Sequence, residues 1–318
     1  MRAARADVSF IRARYSSASA GVTILVPRRA TASETWHNPL LTWSTPSMRI
    51  GIIGGGVIAR LFLEHARRGD MGDAIVVAIQ GRSEASRGKP LAERYGVPFV
   101  IGIGALLARR PDAVIEAASH DAVREFALPL LERGIAVILL SGGALHDDAL
   151  RASLEAAAAK SKALLYVPSG GIGGLDALKA ACVAGADSVE IAVTKPPAAW
   201  KDIPYVENLQ LDLDRLTGPV TLFEGTARAG VPHFPANVNI AAALALAGIG
   251  FERTQLKAVA DPALVYNTHY ITIRGKTGTI SIKFESVPSP DNPKTAMLAC
   301  YSALAAFKQL NSAVRYGT

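Results

Sequence analysis

The sequence has little cysteine, few aromatics and no long apolar run. Cys182 and Cys300 are the only cysteines in 318 residues, so at most one bridge could form and a small disulfide-stapled fold is excluded. No run approaches the roughly 18 consecutive apolar residues of a spanning helix, so no membrane association is expected. No Cys/His cluster has metal-ligand spacing, which argues against a structural zinc, and no metal is expected. A G-x-S-x-G elbow is missing, so a serine hydrolase is not supported. Basic strands interleaved with aromatics are absent too, and nucleic acid is not an expected partner. The apolar stretch Val22 to Val26 is far short of the ~7–15 residues of a secretory core. Apolar side chains, by contrast, are plentiful. Half the residues are apolar and 19% are charged, which excludes a disordered chain. At roughly 100–200 residues per domain, the length implies two domains.

The formal charge of +7 first suggests nucleic acid or phosphates as partners, but it is unevenly placed. Residues 1–47 hold six arginines against two acids, so more than half of the excess lies there, and residues 48–318 are nearly balanced. The first 47 residues show no helical or strand period. An Arg- and Ser-rich transit peptide is one reading of them. A disordered basic leader is another, and a start-site extension ahead of Met48 is the favoured one.

From Met48 onward, strands and helices alternate. Strands are expected at 49–53, 74–80, 98–101, 113–118, 135–141 and 163–167, with helices at 57–68, 84–95, 103–110, 120–133 and 147–161. The second of these strands is an uninterrupted apolar run, as a strand buried on both faces requires. Such alternation implies an α/β fold with a parallel sheet and right-handed crossovers. After Pro168 the pattern changes. A helix at 174–184 leads into longer strands at 188–194, 220–224, 264–274 and 279–287, with one helix at 236–247 between them. The last two strands read as an antiparallel hairpin closed by Gly275 to Gly278, with inward alternation broken at His269. Asn292 and Pro293 stand where an N-cap and a first-turn proline would open a final helix at 294–310. The expected organisation is an N-terminal Rossmann dinucleotide-binding domain over 48–168, an α/β domain with a mixed or antiparallel sheet over 169–290, and a C-terminal helix and tail over 291–318.

Gly54 to Ala59 fits G-x-G-x-x-G/A between an expected strand and an expected helix, the context a dinucleotide site requires. Gly54 allows the tight turn, Gly56 lets a pyrophosphate approach the backbone, and Ala59 lets helix and strand pack closely. Val57 and Ile58 open the helix, whose free N–H groups face the phosphates. Ala118, at the end of the fourth strand, lies at the same edge. The acid usually found some 20 residues on is missing. Gln80 stands near its place, and Arg82 with Ser83 suits a 2′-phosphate, so NADP or dual use is suggested. A second glycine cluster, Ser169 to Gly174, follows the sixth strand, where a nicotinamide and a substrate could lie against backbone. Asn239 sits too deep in its expected helix for a simple cap, which leaves it able to bind a ligand. Of the six histidines, His269 lies in a strand of the second domain, His120 opens a helix beside the fourth strand, and His65 reads as packing.

Several segments are more specific than the glycine loop: Val193–Trp200 (VTKPPAAW), Phe223–Ala227 (FEGTA), Phe234–Gly248 (FPANVNIAAALALAG), Ala260 to Pro262, Asn267 to His269, and Asn292 to Thr295 (NPKT). In this order and spacing, the chain from about Met48 to Leu310 resembles the L-aspartate dehydrogenase family. The resemblance implies oxidation of L-aspartate to iminoaspartate with NAD or NADP taking the hydride. Iminoaspartate then yields oxaloacetate and ammonia or feeds nicotinamide-cofactor biosynthesis. It also implies a homodimer. It places the active-site histidine on His269 and a cofactor-contacting asparagine on Asn239. A cofactor-contacting alanine of the family's Ser-Gly-Ala-Ile-Gly pattern falls on Gly171, where the missing methyl group should leave a backbone contact intact. With its usual pKa of ~6.5, His269 suits general acid/base work on the amine or on water attacking the imine. Lys195 and Lys294 are the candidates for the substrate carboxylates. The enzyme reading implies a reducing, cytoplasmic setting. Two other readings remain: a homoserine-dehydrogenase-like or dihydrodipicolinate-reductase-like enzyme, and a nucleotide-binding sensor without catalysis.

Overall fold

The computed structural model describes residues 47–235, 238–289, 292–310, 312 and 314; side chains of 288–295 fall outside that description. Residues 1–47, expected as a leader or extension, lie outside it but for the last. The N-terminal half runs β1 (Arg49–Ile53), α1 (Val57–Arg67), β2 (Ile75–Gly81), α2 (Gly88–Tyr95), β3 (Phe99–Ile101), α3 (Ile103–Leu107), β4 (Ala113–Glu116), α4 (His120–Leu131), β5 (Ala136–Leu139), α5 (Asp148–Ser161) and β6 (Leu165–Tyr166). All six strands are parallel, in the order β3-β2-β1-β4-β5-β6. The chain reverses direction across the sheet between β1 and β4, so a crevice opens at the carboxyl ends of those strands. Ser119 caps α4 through a bond from the Ala122 N–H, and the Asp147 carboxylate accepts from two N–H groups at the start of α5.

The second half runs α6 (Leu175–Ala184), β7 (Ala186–Lys195), α7 (Pro204–Glu207), β8 (Val220–Thr226), α8 (Ala227–Gly230), α9 (Asn239–Ala247), β9 (Thr254–Ala260), β10 (Asn267–Gly275), β11 (Gly278–Ser286), β12 (Pro288–Ser289), β13 (Asn292–Ala296) and α10 (Met297–Leu310). The order β11-β10-β7-β9-β8 makes a mixed sheet in which only β7 and β9 run parallel. Its inner face (Val189, Ile191, Val193, Ile271, Ile273) packs against Leu178 of α6 and Ala241, Leu244 and Ala245 of α9. A helix apolar on nearly every side must be buried, and α9 is.

Three expectations need correction. Strand β9 lies in a segment that had no assignment; of its seven residues only Thr254 and Val259 favour strands. Asn292 and Pro293 do not cap the final helix. They belong to β13, which pairs with β12, and α10 starts only at Met297. His269 does not break the alternation: Asn267, His269, Ile271 and Ile273 are all buried on one face, and Tyr270 points out. The final helix also returns to the first sheet. Ala303, Leu304 and Phe307 pack with Ile50, Ile52, Phe62 and Ile115, and the Phe62 and Phe307 rings meet edge-on at 5.2 Å.

Candidate active site

The crevice is a cleft of about 1550 Å3, running from the glycine loop past the carboxyl ends of β2 and β4 to the near ends of β7 and β10. At one end Gly54 has φ +106°, and a Cβ there would sit 2.5 Å from the Ala117 carbonyl oxygen; only glycine fits. A Cβ on Gly56 would meet nothing within 4 Å, so the backbone is open to the cleft. Gly56 also caps α1 without any side-chain bond, which leaves the first-turn N–H groups to the cleft. Val57 and Ile58 line the same stretch. An open backbone ahead of an uncapped helix fits a dinucleotide pyrophosphate.

The floor is held by a residue that sequence reasoning missed. Glu116, the last residue of β4, is buried and accepts bonds from the N–H groups of Ala118 (2.8 Å), Ser119 (3.0 Å) and Ser141 (2.9 Å), and from the Ser141 hydroxyl (3.0 Å). Burial raises its pKa, and those bonds oppose the rise. The carboxylate ties the turn carrying Ala118 to the turn after β5. An acid closing the apolar strand Ala113–Glu116 was the available signal.

Asn239 is the first residue of α9, two or three positions nearer the helix start than expected. Its Oδ1 accepts from the Gly143 N–H (2.9 Å) and lies 3.2 Å from His120 Nε2. A backbone N–H can only donate, so the asparagine atom is oxygen and His120 Nε2 carries its hydrogen. That leaves the two amide hydrogens of Asn239 to donate into the cleft. Burial lowers the His120 pKa, so this ring is neutral at pH 7.

At the far end, Lys195, Asn267 and His269 share the inner face of the second sheet, where β7 ends and β10 begins. Lys195 is 4% exposed and His269 2%, yet both line the cleft. Burial brings the Lys195 amine down to about 7. Burial, with the Lys195 charge second, brings His269 down to about 3. His269 Nδ1 is buried with no hydrogen-bond partner among the described residues. Trp200 is fully buried, donates from Nε1 to the Val259 carbonyl (3.0 Å), and holds its ring 5.5 Å from Lys195 Nζ. Gly171 also faces the cleft, and a Cβ there would come no closer than 3.5 Å to Ala296, so an alanine would fit.

Arg82 is exposed and lines the cleft beside β2. Thus Gly54, Gly56, Val57, Ile58, Arg82, Ala118, Gly171, Lys195, Asn239 and His269 meet in one cleft. Lys294 falls in β13 with its side chain outside the described residues. Away from the cleft, His233 stacks on Tyr205 at 4.3 Å, and His65 Nδ1 lies 2.7 Å from Asp70. Among the described residues, no three His, Cys, Asp or Glu side chains converge as metal ligands.

Residues 176–310 match the family described as aspartate dehydrogenase, C-terminal, and residues 50–168 match the NAD-binding domain of homoserine dehydrogenase. L-aspartate dehydrogenase of Methanosarcina mazei is 41% identical over 273 residues, covering 85% of this chain and 100% of that protein. L-aspartate dehydrogenase 2 of Bordetella pertussis is 42% identical over 267 residues, covering 82% and 96%. The chain belongs to the L-aspartate dehydrogenase family. A crystal structure of aspartate dehydrogenase from Thermotoga maritima superposes with a TM-score of 0.64 at 28% identity, covering 85% of this chain and 99% of the other. In this member of the family, the two matched regions meet at the cleft: the glycine loop comes from one, and Lys195, Asn239 and His269 from the other.

Proposed function

We propose that the protein is an NAD(P)-dependent L-aspartate dehydrogenase, with His269 as its acid/base residue. One observation carries the assignment of the chemistry. A buried imidazole with an open Nδ1 and a buried amine lie on one sheet face, in the same cleft as the glycine loop. Gly54, Gly56, Val57, Ile58, Arg82, Ala118, Gly171 and Asn239 hold the nicotinamide dinucleotide, whose ring accepts the hydride when bound. L-aspartate loses hydride from Cα and a proton from its ammonium group, leaving iminoaspartate. Water then adds to the imine carbon, and the carbinolamine so formed expels ammonia to give oxaloacetate.

Lys195 is placed for a substrate carboxylate, and Lys294 is the candidate for the other. Burial holds His269 neutral and brings Lys195 near half-protonation at pH 7. The incoming dicarboxylate adds negative charge beside both, which favours their protonated forms. His269 therefore gains basicity as substrate seats, takes the ammonium proton, and assists water in the hydrolytic step. Asn239 would hold the cofactor through its amide N–H groups, while its oxygen keeps the Gly143 turn and His120 in place.

The same reading makes the protein a cytoplasmic homodimer serving nicotinamide-cofactor biosynthesis or aspartate catabolism, with no nucleic acid or membrane partner. Among the described residues, no helix is long and apolar enough to cross a membrane. Product analysis tests the reaction. Reduced cofactor, oxaloacetate and ammonia should form one to one from L-aspartate and not from L-homoserine. Turnover of L-homoserine instead would favour the neighbouring reductase class.

A further inference from the structure

In dinucleotide folds, the residue closing the second strand faces the adenosine ribose, and an acid there holds the ribose hydroxyls and repels a 2′-phosphate. Gln80, one residue before the end of β2, stands near that position here, and no acid does. It is 4% exposed, and its Nε2 donates to the Gly81 carbonyl at 2.9 Å. The turn that follows carries one acid, Glu84, which is not among the cleft residues; its carboxylate lies 2.8 Å from Lys89 Nζ. Arg82, Ser83, Ser86 and Arg87 line the cleft instead. The Ser86 hydroxyl accepts from the Ser83 N–H at 3.0 Å and so fixes the turn that presents both arginines. Both guanidinium groups are exposed. The acids that do line the cleft, Asp121 and Glu125, belong to α4 beyond β4, and Asp121 is paired with Arg124 at 3.2 Å.

We propose that the turn Arg82–Arg87 is a 2′-phosphate subsite and that this chain binds NADP(H) in preference to NAD(H). The proposal rests on the cofactor reading above and adds to it the choice between the two dinucleotides. Two guanidinium forks and two hydroxyls, with the turn's one carboxylate held by Lys89, match the charge and donor demand of a phosphate monoester. An NAD ribose would find no carboxylate acceptor for its 2′-hydroxyl among the turn residues that line the cleft.

The test is equilibrium binding to the purified full chain, followed by dinucleotide fluorescence without substrate. NADPH should bind about tenfold to a hundredfold more tightly than NADH, the range expected for charge-assisted bonds to one phosphate. That advantage should shrink with added salt, because the arginines are exposed. Adenosine 2′,5′-bisphosphate should displace NADPH better than 5′-AMP does. Arg82→Ala and Arg87→Ala should each weaken NADPH far more than NADH, and the double variant should bring the two affinities together. Equal wild-type affinities, or equal losses for both dinucleotides in the variants, would overturn the subsite while leaving the cofactor reading intact. Binding of neither dinucleotide would overturn both.

Discussion

Lys195→Met should make the protein more stable and catalytically inert. An amine with a usual pKa of 10.5 is brought to about 7 by burial, so the folded state gives up protons that the unfolded chain keeps between those values. The sign follows from linkage. The unfolded state binds more protons in that window, so wild-type stability rises with pH from about 7 toward 10.5. At about 1.4 kcal/mol per pH unit, the ceiling on the cost of burying Lys195 is about 5 kcal/mol. Replacing buried ion pairs with apolar groups of similar volume is often neutral or stabilising by about 1–4 kcal/mol. Methionine keeps the stem against Trp200 and removes the charge. Urea denaturation at pH 6, 7 and 9 measures the effect. The variant's advantage should be largest at pH 7 and below and smaller at pH 9, with aspartate turnover lost throughout. An advantage over wild type no larger at pH 7 than at pH 9, or normal aspartate turnover by the variant, would refute the reasoning.

Three further outcomes follow from the same geometry. Glu116→Ala should cost about 2–4 kcal/mol and raise the cofactor Kd, because three N–H groups and a hydroxyl, those of Ser141 buried, lose their acceptor; chemical denaturation and NADPH titration read the two effects. Phe307→Ala should cost about 3–5 kcal/mol by leaving a cavity against Phe62. Its loss should show in the unfolding of the dinucleotide-binding half, although Phe307 sits near the far end of the chain. Below pH 6.5 stability should fall as pH drops toward about 3, since an unfolded His269 takes a proton that the buried ring refuses; His269→Gln should flatten that part of the profile.

Much of the first sheet was legible because its signals are local. The strand Arg49–Ile53 is apolar and bounded by a glycine turn, and both its ends fall where the sequence places them. The αL residue Gly134 marks the end of the α4 region by backbone chemistry that acts over a few residues. What escaped was long-range. Strand β9 became a strand by lying between β7 and β8. Pro293 reads as a helix opener until β12 supplies a partner strand. The return of α10 to the first sheet depends on a fold-level path that no local pattern encodes.

The site divides in the same way. Gly54 and Gly56 declare themselves by spacing, and His269, Asn239 and Gly171 were placed by family resemblance. Lys195 and His269 are 74 positions apart, and only the pairing of β7 with β10 puts them on one face. Glu116 is unremarkable in sequence and becomes the clamp between two turns once β4 and β5 lie side by side. The excess positive charge of the whole chain sits largely in residues 1–47 and carries no information about the cleft.

The central claim is that His269 serves aspartate oxidation from within the cofactor cleft. The most direct measurement is the initial rate of L-aspartate-dependent NAD(P)H formation by wild type and His269→Ala, each checked for NADPH binding. The account predicts turnover in wild type, none in the variant, and NADPH binding in both. No aspartate-dependent reduction by wild type, or near-normal turnover without His269, would contradict it.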